Sequence, residues 1–349
     1  MPLSEQTLHP LTASSVQLSY CHDRPLRYIA TRYVPICPTP SQEPDRVSCT
    51  LLFIGGISLS QETWLPVIKH LYHLTSQSTS PIRIHSAWAI ERPNHGDAGV
   101  LNERELKEHY SVIFPSLQYA AAIRAFLASG TLSAHERANL IGIGHSGGGG
   151  SLIQAMEPAK HDLPLRTLIL VESPHCDDAA WPYFTELYKA VKRANARRQT
   201  SWASKDDAMH WITTHAPWMA FHPDVLSIIS ETYFRADEEQ PGRITTKTMV
   251  EQETASFLDD GTHLGALPYL RTIFHTLPTH LILGSIMDIW PPPMYKMLER
   301  NIEQSRPALA SVTTLEGVGH YIPVQKPKEL ALEIIGILSG QAGPTSSRL

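Results

Sequence analysis

An α/β fold with a mostly parallel sheet covered by helices on both faces is what three features of this sequence predict. Strand-like and helix-like segments alternate from residue 50 to residue 171. The strand segments, such as Thr50-Leu51-Leu52-Phe53-Ile54, are short continuous apolar runs, which is how strands buried on both faces read. A sharp glycine turn, Gly144-His145-Ser146-Gly147-Gly148, then sits between one such run and a helix start.

Taken in order, residues 16–20 and 26–33 alternate apolar with polar side chains and predict an antiparallel hairpin at the sheet edge. Residues 35–46 form a Pro/Ser loop. The alternation follows as strand 50–54, helix 61–74, strand 82–90, helix 115–129, strand 138–143, helix 147–158 and strand 166–171. Residues 174–277 break the pattern, with helical stretches, no convincing strand and an exposed acidic turn at 237–242. Alternation resumes at His280, with a strand at 311–315 and a helix at 326–339. The expected division is therefore a core of residues 1–173 and 278–340, a helical cap of residues 174–277 inserted after strand six, and a free tail of residues 341–349.

The G-x-S-x-G turn carries the chemistry. Between strand and helix it forces its serine into a strained conformation that lifts Ser146 Oγ clear of the sheet, and glycine on either side avoids the clash. The Gly147 amide then stands where an oxyanion would form. A serine hydroxyl needs a base, and the chain has 18 histidines. Among them His320 stands out, because Gly317-Val318-Gly319-His320-Tyr321 lies in a loop between the last strand and the last helix, where flanking glycines permit close approach. Gly55-Gly56-Ile57, after strand 50–54, offers the Ile57 amide as the second oxyanion donor.

Together these segments resemble the α/β-hydrolase family, and the resemblance covers nearly the whole chain. Family members commonly carry histidine where this chain has Gly55. The loop Ile90-Glu91-Arg92-Pro93-Asn94-His95-Gly96-Asp97 looks like the family's loop after strand four, which implies a structural rather than catalytic His95. Its wording is similar to that of fungal peroxisomal hydrolases, among them host-selective-toxin pathway enzymes, the acyl-CoA hydrolase of mycophenolic acid synthesis and the yeast peroxisomal lipase. Triad order in the family is serine, acid, histidine. Two carboxylates compete for the middle place. The usual position follows the seventh strand, where the family register falls on Met287 and leaves Asp288 one residue late. Some relatives take the acid from the end of strand six, where Glu172 stands; Glu172 is preferred, and Asp288 remains open.

The resemblance implies a cofactor-independent hydrolase acting on an ester or acyl-CoA thioester of a fatty or polyketide acid. Carbon–carbon bond hydrolysis, cyclisation, or a non-catalytic ligand-binding role on the same fold are the alternatives. Serine at the elbow argues against the dehalogenase and epoxide-hydrolase branches, which use aspartate there. The cap is expected to set selectivity, with Trp181, Trp211 and Trp218 as candidate substrate contacts, and the basic stretch Lys189, Lys192, Arg193, Arg197 and Arg198 as a landing place for coenzyme A phosphates or simply a solvated helix face.

Composition sets the remaining bounds. Apolar residues make up 42% and charged residues 18%, and the net charge of −5 gives no reason to expect nucleic acid. No apolar run approaches the roughly 20 residues of a membrane span, and the N-terminus lacks the shape of a signal peptide. Cys21, Cys37, Cys49 and Cys176 show no zinc-like or C-x-x-C spacing, so free thiols and no metal are expected. The final Ser347-Arg348-Leu349 matches the small–basic–leucine tripeptide read by the peroxisomal import receptor, and a peroxisomal location is expected.

Overall fold

The computed structural model describes residues 3–37, 46–77, 79–157, 163–173, 175–258 and 260–340. Ser347-Arg348-Leu349 lies outside the described residues. Eight strands form the main sheet, in the order β1-β2-β4-β3-β5-β6-β10-β11. The hairpin is β1 (Leu11–Cys21) and β2 (Pro25–Pro35), paired antiparallel from Leu11 opposite Pro35 to Cys21 opposite Pro25. It joins the sheet where β2 runs antiparallel to β4 (Ile82–Ile90). From there β4, β3 (Val47–Ile54), β5 (Leu140–His145), β6 (Thr167–Val171), β10 (Thr279–Gly284) and β11 (Ser311–Leu315) are all parallel.

Period-two side-chain alternation divides the core. Leu52 and Ile54 face a cluster with Tyr119, Phe126 and Leu152, supplied by helices Ser116–Ala128 and Gly147–Met156. Leu51 and Phe53 face the other cluster, with Ile68, Leu71, Leu330 and Ile334 from helices Leu65–Ser76 and Pro327–Leu338. Both faces of the central strands are therefore buried, which is why they read as continuous apolar runs. The helix expected at 61–74 divides into a 3-10 turn, Gln61–Trp64, and an α-helix whose second residue is Pro66, a place where a missing N–H costs nothing.

The segment between β6 and β10 corrects one expectation: it is not purely helical. It carries a three-stranded antiparallel sheet, β7 (Ser201–Trp202), β8 (Phe234–Ala236) and β9 (Ile244–Thr246), in the order β7-β9-β8. The acidic turn at 237–242 is the tip joining β8 to β9. There Asp237 accepts from the Glu239 and Gln240 amides, and Gly242 takes φ 85°. Strands of two and three residues are too short to show a period, so sequence pattern could not reveal them. Around this sheet stand helices Trp181–Asn195, Lys205–Thr214, Pro223–Thr232 and Val250–Phe257, with Ile212, Trp218, Phe221, Val225 and Tyr233 forming a cluster of their own. Helix Ala266–Ile273 instead contributes Leu270 and Ile273 to the main core. Ion pairs fasten the insert to the core: Arg235 donates to both oxygens of Glu103, and Lys247 lies 2.7 Å from Asp97. Among the described residues no helix is long and apolar enough to cross a membrane.

At the hairpin side of the sheet, the buried Glu136 carboxylate gathers Arg32 from β2, Ser86 and Trp88 from β4, and the Ser133 amide. Burial works to raise its pKa, but these donors outweigh burial and bring it from 4.5 down to about 2. A depressed carboxylate stabilises the fold fully above its unfolded value, and the contribution is lost as pH falls toward the folded one. Stability should therefore drop between about pH 4.5 and pH 2 in denaturant titrations, and Glu136→Gln should flatten that part of the profile while lowering stability at neutral pH. An unaltered acid limb in the variant would count against this linkage.

Candidate active site

Strand β5 ends in the turn that carries Ser146 at φ 52°, ψ −136°, a conformation that side-chain-bearing residues rarely adopt. Close packing explains the glycines around it. A Cβ on Gly144 would come 2.4 Å from Gly149 Cα, and one on Gly148 would come 2.2 Å from Gly55 O. The turn is held from β6: the Ser146 amide donates to Val171 O at 3.0 Å, and Ser173 Oγ donates to Ser146 O at 3.0 Å.

Immediately after β6, Glu172 also has a positive φ, 46°. Its amide donates to Ile282 O at 2.9 Å, and Gly284 N–H donates to Oε1 at 2.6 Å, so β10 pins the residue at both its backbone and its side chain. The second oxygen, Oε2, lies 3.2 Å from His320 Nδ1, and His320 Nε2 lies 2.8 Å from Ser146 Oγ. A carboxylate accepts, so Nδ1 carries the ring proton and Nε2 is left to accept from the serine hydroxyl. The structure thus joins Ser146, His320 and Glu172 in one hydrogen-bonded chain.

Asp288 does not reach the ring. Its Oδ1 accepts the His320 backbone N–H at 3.0 Å, and its carboxylate fills the place where a Gly319 side chain would be, with Oδ2 2.0 Å from an ideal Cβ there. On the opposite side, His145 Nε2 lies 2.8 Å from His320 O. His145 is a site residue that motif reading passed over, because it occupies the variable position of G-x-S-x-G. Burial, then the neighbouring His320, lower its pKa to about 3, so its ring is neutral.

Ile57 and Gly147 share a wall of the pocket in front of Ser146, with Gly147 Cα close enough that a Cβ there would lie 3.8 Å from Ile57 Cδ1. Gly147 opens its helix, so its amide is one of the donors a helix leaves without an internal partner. The loop is fixed at the next residue: the Ser58 amide, at φ 71°, donates to His95 Nε2 at 3.0 Å. Fully buried His95 is thereby placed behind the site, and its Nδ1 contacts Asn94 Oδ1 at 2.9 Å. Burial, aided by the nearby Arg92, holds its pKa well below the usual histidine value.

The pocket has a volume of about 70 Å³. Besides the hydrogen-bonded chain it presents Arg92, Phe184, Phe257 and Trp290. None of the three expected tryptophans lines it. Trp181 is 40% exposed and stacks at 6.3 Å on His263, which does line the pocket. Trp211 and Trp218 line a separate cavity between the insert and the core, where Ser58, Leu59 and Tyr321 also face it. The basic stretch is also partly committed: Arg198 donates to both oxygens of Glu253 at 2.8 and 2.9 Å, Lys189 pairs with Glu186 at 2.8 Å, and Lys192 lies over the Tyr188 ring.

The two supporting histidines should be opposite tautomers. His145 donates from Nε2 to a carbonyl, whereas His95 accepts at Nε2 and must carry its proton on Nδ1. Nitrogen-15 NMR of the imidazoles should show this difference at neutral pH, with His145 protonating only toward about pH 3. Identical tautomers would contradict the arrangement.

Comparison with known proteins places these features in a family. No curated protein matches the chain by sequence. Among solved structures, a peroxisomal alpha/beta-hydrolase of Saccharomyces cerevisiae superposes with a TM-score of 0.73 at 16% identity, covering 98% of this chain and 93% of that one. A thioesterase domain from the curacin biosynthetic pathway gives 0.61 at 16% identity, covering 92% and 99%. An esterase of M. tuberculosis gives 0.60 at 16% identity, covering 94% and 92%. These likenesses are of fold. The Alpha/beta hydrolase family model matches residues 51–333, which include the turn, both carboxylates and His320, and the chain belongs to the Alpha/beta hydrolase family.

Proposed function

We propose that this chain is a serine hydrolase of carboxylic esters or thioesters. The hydrogen-bonded series Ser146–His320–Glu172 carries the reading, and membership of a hydrolase family supports it. His320 Nε2 takes the serine proton as Oγ attacks the carbonyl carbon, and Glu172 stabilises the imidazolium that results. The Ile57 and Gly147 amides hold the tetrahedral oxyanion. His320 then protonates the leaving group, and water, activated by the same imidazole, releases the acyl group from Ser146. Asp288 and His145 act on the backbone of His320, and so position the base without touching the reacting atoms.

An acyl group of fatty or polyketide type is the proposed substrate class. The mostly apolar lining of the pocket favours it, and the thioesterase domain of a biosynthetic pathway is among the fold relatives. Recognition is proposed to rest chiefly on the acyl part; of the basic stretch, Arg198 and Lys189 are paired with carboxylates and Lys192 lies over Tyr188. The proposed compartment is the peroxisome, through Ser347-Arg348-Leu349.

Ser146→Ala and His320→Ala should each lower kcat by about 10⁴-fold or more on p-nitrophenyl acetate, and combining them should add little, because the two act as a unit. Only the wild-type serine should label with a fluorophosphonate. Near-normal turnover in either variant would remove the serine mechanism.

The two carboxylates should respond unequally. Glu172→Gln should cost about 10²–10⁴-fold in kcat, since an amide cannot stabilise the imidazolium as a carboxylate does. Asp288→Asn should stay within a few-fold, because its remaining side-chain oxygen still accepts the His320 amide. The reverse ranking would move the acid to Asp288.

An N-terminal fluorescent fusion should enter peroxisomes, and deletion of the last three residues should leave it in the cytosol. Diffuse signal from the intact fusion would make the tripeptide an accident.

A further inference from the structure

The catalytic pocket, at about 70 Å³, has room for a reacting ester and its nearest substituents, well short of the roughly 300–1,000 Å³ of ordinary ligand sites. A second cavity of about 340 Å³ lies beside it. Phe257 and Tyr321 line both, so the two are separated by side chains and not by backbone layers. Successive residues of one loop serve both as well: Ile57 faces the first, Ser58 and Leu59 the second.

The walls of the second cavity are aromatic to an unusual degree. Trp211 and Trp218 meet at 5.4 Å between ring centroids, and Phe221 and Tyr321 at 5.7 Å. Tyr321 in turn stands edge-on to the His320 ring at 5.6 Å, which brings this wall up to the base. Within the cavity Arg198 is paired with Glu253 and lies 5.6 Å over Trp218, and Arg197 also lines the wall. One face of Trp211 stacks on His215 at 4.3 Å and one of Trp218 lies under Arg198, and the remaining faces and edges of such rings favour an incoming flat ring beyond the area it buries. A flexible alkyl chain collects no such directional term.

We infer that this cavity receives the distal part of the substrate, and that this part is a planar aromatic group. The inference rests on the hydrolase reading and narrows its substrate class to esters that carry an aromatic group, in place of a plain fatty chain. Phe257 and Tyr321, which line both cavities, stand between the ester at Ser146 and the ring in the second.

Ala194 and Val191, on helix Trp181–Asn195, both line the cavity and allow it to be filled. The test compares p-nitrophenyl acetate with two esters that bear a naphthyl group, one on the acyl side and one on the alcohol side. In Ala194→Phe the ratio of kcat/KM for the preferred naphthyl ester to that for the acetate should fall at least tenfold, mainly through KM. Val191→Phe provides the same test should the first variant fail to fold. An unchanged ratio for both naphthyl esters overturns the inference while leaving the hydrolase reading intact. Failure of the wild type to cleave any of the three esters sinks the hydrolase reading, and binding then decides the cavity. Anilinonaphthalene sulfonate should bind wild type at a single saturable site with energy transfer from tryptophan, and Ala194→Phe should lose that site. Equal binding by both proteins overturns the inference.

Discussion

His320 is suspended from four sides, and the rest of the site is organised around that suspension. Its ring lies between Glu172 and Ser146, its amide is held by Asp288, and its carbonyl is held by His145. All four partners are carried at or just beyond the ends of the adjacent parallel strands β5, β6 and β10. A side chain fixed at ring and backbone together has little freedom left to lose, so its geometry is set in advance of any ligand.

Strain is concentrated in the same place. The non-glycine residues with positive φ among those described are Ser58, Ser146 and Glu172, and all three belong to this site. Each is held by hydrogen bonds from elsewhere: Ser58 by His95, Ser146 by Val171 and Ser173, Glu172 by β10. A strained residue persists when its surroundings over-determine it, and the rigid sheet beneath supplies that over-determination. The tightly packed glycines do the complementary work, since Gly148 against Gly55 lets the serine turn and the neighbouring loop meet backbone to backbone.

How much of this was legible in the sequence depended on the reach of each signal. The sheet was, because continuous apolar runs report burial on both faces locally. Ser146 and His320 were, because glycines with specific spacing mark turns. The small sheet β7–β9 was not, since its strands are shorter than any period. The competition between Glu172 and Asp288 was undecided at that level because both lie at strand ends that point toward one histidine, and only three-dimensional register separates a contact with the ring from a contact with the backbone. His145 was hidden for another reason: its task is to bind a carbonyl 175 residues away, and no local pattern records such a partner. The tryptophans were recognisable as a group, but which cavity each would face depends on how the insert folds back on the core.

Ser146 and Glu172 follow neighbouring strands, so their spacing is a property of the sheet: β5 and β6 are in register up to His145 opposite Val171, one residue before each. In the usual family layout the loop after β10 must deliver the acid to the ring. Here the loop's Asp288 holds the His320 backbone amide and not the ring, and the loop exposes Ile286 and Met287 to solvent, at 51% and 61%. Ile286 and Met287 are thereby set apart from the hydrogen-bonded chain, whereas Ile289 and Trp290 of the same loop line the pocket. Substitution at Ile286 or Met287 would reshape the outer rim while leaving in place the side-chain hydrogen bonds of Glu172 and Ser146 to the His320 ring.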